Sequence, residues 1–77
     1  MTTYNGWANH ATWNCSLWIG NDEGLYRFVR SLTQSGITQW SDVAKLLTIN
    51  FGSSTTPDGA PWAEADEDEM NEMLAEL

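Results

Sequence analysis

The chain has 77 residues, 12% of them aromatic, and a formal net charge of −8. A single domain of this size buries only about 60% of the surface its unfolded chain exposes, so its core needs reinforcement. One cysteine and one histidine, Cys15 and His10, can make neither an internal disulfide nor a four-ligand zinc site.

The reinforcement left is aromatic mass: Trp7, Trp13, Trp18, Trp40 and Trp62, with Tyr4, Tyr26, Phe28 and Phe51. Each such ring buries roughly 150–250 Å². The expected fold is all-α, a small single domain of three to four short helices around a Trp-rich core. Its expected divisions are core helices over 1–50, a loop over 51–61 and an acidic amphipathic helix over 62–77.

Residues 1–8 read as an irregular lead-in with a turn at Asn5-Gly6. A first helix is predicted from Asn9 or Thr12, either of which can cap it, to about Gly20. Trp13 and Leu17 share one face of it, and Cys15, Trp18 and Ile19 cover most of the opposite side. Apolar residues on nearly every side predict burial at the centre of the fold. Ser16 and Gly20, four apart, form a small-residue stripe that another backbone could approach.

Asn21-Asp22-Glu23 starts a second helix, since acids suit the positive end of a helix dipole. It is expected to run to about Leu32, with Leu25, Phe28, Val29 and Leu32 on one face. Gln34-Ser35-Gly36 closes it. Thr38 or Ser41 can cap a third helix that aligns Trp40, Val43, Leu46 and Leu47 and extends to about Asn50. The core expected from this pattern is Trp7, Trp13, Leu17, Trp18, Ile19, Leu25, Phe28, Val29, Leu32, Trp40, Val43, Leu46 and Leu47.

Residues 52–61, GSSTTPDGAP, carry the composition of a loop with a Pro-Asp-Gly turn. Trp62 is expected to pin this loop to the core. A fourth helix starts near Asp66, with Glu69 at capping-box spacing. Met70, Met73, Leu74 and Leu77 then form an apolar stripe.

The charge is strongly segregated. Asp22, Glu23 and Asp42 balance Arg27, Arg30 and Lys45 in the first fifty residues, whereas residues 51–77 contain eight acids and no base. Three basic residues are too few for a nucleic-acid reader. No run of about 18 apolar residues is present to span a membrane, and an anionic membrane surface repels the tail. MTTYNGW has no leader character, and a lone free thiol fits a reducing, cytoplasmic setting. The acids Glu64, Asp66, Glu67, Asp68, Glu69, Glu72 and Glu76 are therefore the candidate partner-binding residues, for a protein with a basic surface.

Catalytic and ligand readings fare worse. His10 and Cys15 are five apart, about 140° around a helix, so their side chains diverge. Cys15 shares its face with Trp18 and Ile19, where a thiol behaves as a small hydrophobe. The acidic run ADEDEM lacks the spacing of a calcium loop. Paired carboxylates would need a cleft that a chain this short has little room for. No catalytic residue, metal or cofactor is expected, and the protein is expected not to be an enzyme.

YNGW at 4–7, NHATWN at 9–14, LWI at 17–19 and NDEGLY at 21–26 resemble the signature of a group of small bacteriophage proteins of unknown function. PDGAPW at 57–62 and EMNEMLAEL at 69–77 are similar to how those proteins end. His10 departs from the pattern, which has an aromatic there, usually Tyr; no role that depends on a hydroxyl carries over. The resemblance implies a phage origin and a role early in infection in the host cytoplasm, and transfers no site. Two functions stay open: a non-enzymatic binder that modulates a host protein, and an acidic DNA mimic that blocks a nucleic-acid-binding host or defence protein.

Overall fold

In a computed structural model, residues 6–77 are described. They form four helices, α1 (His10–Asn21), α2 (Glu23–Gln34), α3 (Trp40–Phe51) and α4 (Glu67–Ala75), with a 3₁₀ turn at Trp62–Glu64. No strand occurs among these residues; an isolated antiparallel bridge joins Thr55 and Pro61. The fold class is the all-α domain expected. Tyr4 and Asn5 lie outside the described residues.

Three helix starts follow from local chemistry. Asn9, Asp22 and Asp66 hold extended backbone and accept the N–H of Thr12, Leu25 and Glu69 respectively. Each side chain so satisfies one of the donors that a helix N-terminus leaves unpaired. Asp22 also closes α1, because its own N–H bonds back to the Trp18 carbonyl. One residue thus turns the chain from α1 into α2.

α3 begins differently. Neither Thr38 nor Ser41 caps it: Gln39 holds the cap position and makes no side-chain cap bond. The donors are met from α4 instead. Trp40 N–H donates to Asn71 Oδ1 at 2.6 Å, and Ser41 N–H to Glu67 Oε2 at 3.1 Å. At the other end TINF stays helical to Phe51, and Gly52 at φ 70 supplies the left-handed terminator.

The core joins Cys15 and Ile19 of α1, Leu25 and Val29 of α2, Trp40, Val43, Ala44 and Leu47 of α3, Trp62 and Ala65 of the connector, and Met70 and Leu74 of α4. Trp40 and Trp62 meet edge to face at 6.2 Å, and Trp40 Nε1 donates to the Trp62 carbonyl at 2.8 Å. Trp62 is thus a wall of the core and not merely a pin on a loop. α4 docks firmly, since Met70 and Leu74 are buried and Met73 and Leu77 pack alongside.

Several expected core residues lie elsewhere. Leu17 is 39% exposed, and Trp7, Trp13 and Leu46 are half-buried. Trp18, Phe28 and Leu32 are partly buried at the rim of the cluster. α1 offers two apolar faces, and only the one with Cys15 and Ile19 turns inward. It is therefore not surrounded on all sides. Among the described residues the Ser16–Gly20 stripe receives no backbone: Gly20 is exposed with open space at its Cβ position, and Ser16 bonds within its own helix.

Candidate functional site

The two stretches that carried the resemblance are bound to each other. Asn14, buried in α1, donates through Nδ2 to Asp58 Oδ2 at 3.1 Å and accepts at Oδ1 from Thr56 Oγ1 at 2.6 Å. Trp18 Nε1 donates to the same Asp58 oxygen at 3.0 Å. Thr56 Oγ1 in turn accepts the Ala60 N–H, and Cys15 Sγ faces the Pro61 carbonyl at 3.9 Å. Further along, Thr12 Oγ1 donates to Asn9 Oδ1 and accepts the Asp66 N–H. Thr12, Asn14, Cys15 and Trp18, all on α1, therefore bond to residues between 56 and 66 of the connector. Sequence reasoning missed Asn14, Thr56 and Asp58, because side-chain pairs 40 or more residues apart leave no periodic trace.

This network does architecture, not nucleophilic chemistry. Burial pushes the Cys15 thiol up to about 12, which keeps it protonated. The bonds from Asn14 and then Trp18 hold Asp58 below the ordinary carboxylate value, with a smaller pull from His10. His10 is exposed, its ring tilted against Trp13 at 5.5 Å. Among the described residues no three of His, Cys, Asp and Glu converge as metal ligands.

The seven candidate acids divide into two sets. Asp66 caps its own helix, Glu67 caps α3, and Glu69 accepts the Ala8 N–H at 2.7 Å. Glu69 thereby leaves the reciprocal half of the capping box unmade and ties down the lead-in instead. Glu64 is exposed beside the connector, its carbonyl accepting from Asn9 Nδ2.

Asp68, Glu72 and Glu76 form the second set. They recur every four residues on the exposed side of α4, about 6 Å apart along its axis. Among the described residues the ion pair is Arg27–Glu23 on α2, and none involves these acids. Glu72 and Glu76 also sit at the C-terminal end of α4, where the helix dipole is negative and the last turn holds no base. Their placement costs stability locally.

Fold and site together define a small four-helix domain with an interlocked polar seam and an acidic outer row. The chain belongs to a family of unknown function (DUF7249), whose family model matches residues 1–77. No curated protein and no solved structure matches it. Among the described residues no helix is long and apolar enough to cross a membrane.

Proposed function

We propose that this protein is a non-enzymatic, phage-encoded interaction protein that binds a basic surface of a host protein in the cytoplasm and modulates it. The observation that carries the reading is the row Asp68, Glu72 and Glu76, exposed and without ion-pair partners among the described residues. Glu72 and Glu76 weaken their own helix end, and complementarity to a partner, which speeds encounter and fixes register, accounts for their placement. Phage origin and cytoplasmic setting rest on the resemblance and on the lone thiol.

The test compares wild type with a triple variant, Asp68→Asn, Glu72→Gln and Glu76→Gln, in capture from host lysate. The variant is expected to keep its helical circular dichroism and to lose the captured partner. Capture that persists unchanged in the folded triple variant overturns the proposal. A captured set displaced by duplex DNA would instead favour DNA mimicry, although a row of three acids is short for that task.

A further inference from the structure

A groove of about 240 Å³ lies between the C-terminal halves of α2 and α4 and the turn that follows α2. Ile37, Leu74, Ala75 and Leu77 line it with apolar groups, and none of its lining residues is charged. Two of its polar residues are already engaged within the fold. Asn71 accepts the Trp40 N–H at Oδ1 and donates through Nδ2 to Gln39 Oε1, and Thr33 Oγ1 donates to the Arg30 carbonyl. The groove therefore offers chiefly an apolar surface. The described lead-in is tied elsewhere, since Ala8 bonds to Glu69, about 160° around α4 from Asn71.

The charge around the groove is asymmetric. Asp68 and Glu72, both exposed, each stand three residues before a groove residue, Asn71 and Ala75, and so adjoin it on the surface of α4. On α2 the charge at the same spacing is a base, Arg30, three and four residues before Thr33 and Gln34. A basic group of a partner is thus drawn to the α4 rim and repelled from the α2 wall. An apolar cavity of about 150 Å³ holds benzene, so the groove has room for one phenyl side chain. We infer that the groove seats one large apolar side chain of a peptide segment whose neighbouring lysine or arginine residues meet Asp68 and Glu72. The inference rests on the acidic row as a partner surface, and it adds the buried anchor from which interfaces take most of their energy.

The experiment is a proton–nitrogen NMR titration of the full chain with three peptides: acetyl-Phe-Lys-Lys-Lys-amide, the same peptide with Ala for Phe, and the same peptide with Glu for every Lys. The first is expected to move the Ile37 and Ala75 amides and to bind roughly tenfold more tightly than the Ala peptide, as burial of a phenyl side chain allows. The Glu peptide is expected not to bind. Ala75→Gln, a helix-compatible change at an exposed residue, narrows the groove without altering its charge. It should remove the advantage of Phe and leave binding of the Ala peptide unchanged. Equal binding of the Phe and Ala peptides, with shifts confined to Asp68, Glu72 and Glu76, overturns the inference and leaves the acidic row standing. Binding of the Glu peptide as tight as that of its Lys counterpart, or no binding by any peptide, also overturns it. The reading beneath it falls separately, by capture from lysate that persists in the folded triple variant.

Discussion

Helix α1 and the connector from Ser54 to Asp66 are held by different forces. α1 satisfies its own backbone, so its side chains are free to divide into a buried face with Cys15 and Ile19 and an outer face with Trp13 and Leu17. The connector has no regular ladder of its own among the described residues, only the local N–H bonds of Thr56 to the Ala60 carbonyl, Gly59 to Thr56, Trp62 to Ser54, Glu64 to Pro61 and Ala65 to Trp62. It nevertheless buries Thr56, Ala60, Trp62 and Ala65. It can do so because α1 side chains meet its polar groups, as every buried donor and acceptor requires. A segment of loop composition can thus be core when another element supplies its hydrogen bonds.

The sharpest way to break the comparison is at the tryptophans. Trp40→Ala is expected to cost about 3–5 kcal/mol, the range for a large-to-small change in a packed core. That approaches the whole stability of a domain this small, so denaturant melts should show loss of cooperative unfolding. Trp13→Ala, at a half-buried position, is expected to cost clearly less and to leave a folded protein.

Next come the polar clamps. Asn14→Ala removes the partner of Thr56 and one of the two side-chain donors to Asp58 at once. Leaving the Thr56 hydroxyl buried without that acceptor costs about 1–3 kcal/mol, whereas exposed Asp58 keeps its Trp18 donor and is solvated by water. Hydrogen exchange should then rise at the Ala60 and Trp62 amides before it rises in α1. Equal acceleration in both regions would show that the connector is not held by this network.

Asn71→Ala is expected to cost about 1 kcal/mol, the usual worth of a helix cap. Its signature is faster exchange at the Trp40 amide. Leu17→Ala should fall within about 0.5 kcal/mol of wild type, as exposed changes do. A larger loss would place Leu17 in a contact of its own.

The smallest effect is in pH. Asp58 is held below its ordinary value of 3.8, so its contribution is fully present above that value and is lost as pH falls through the depressed one. Acid titration of wild type against Asp58→Asn should show the stability difference shrinking over that interval.

What could be read in advance follows the range of the interactions. Asn9, Asp22 and Asp66 were legible as caps because each bonds a backbone N–H three residues away. The stripes of α2 and α4 were legible because periodicity is local. Leu17 was misplaced because α1 has two apolar faces and nothing within the helix says which one turns inward. The α3 cap was misassigned because its acceptors come from Asn71 and Glu67, far along the chain. Of the candidate acids, Glu67, Asp68, Glu69 and Glu72 lie within α4, Asp66 and Glu76 are its caps, and Glu64 ends the 3₁₀ turn before it. Their division into internal caps and an outer row depends on what lies beside each one.

That distant cap bears on how the chain folds. The first turn of α3 takes its acceptors from residues 31 and 26 positions further on. Until α4 docks, those two amides can bond only to water. Contacts of such sequence separation form late because loop closure must come first. Folding is therefore expected to finish in one late step, when α4 docks and seals the start of α3.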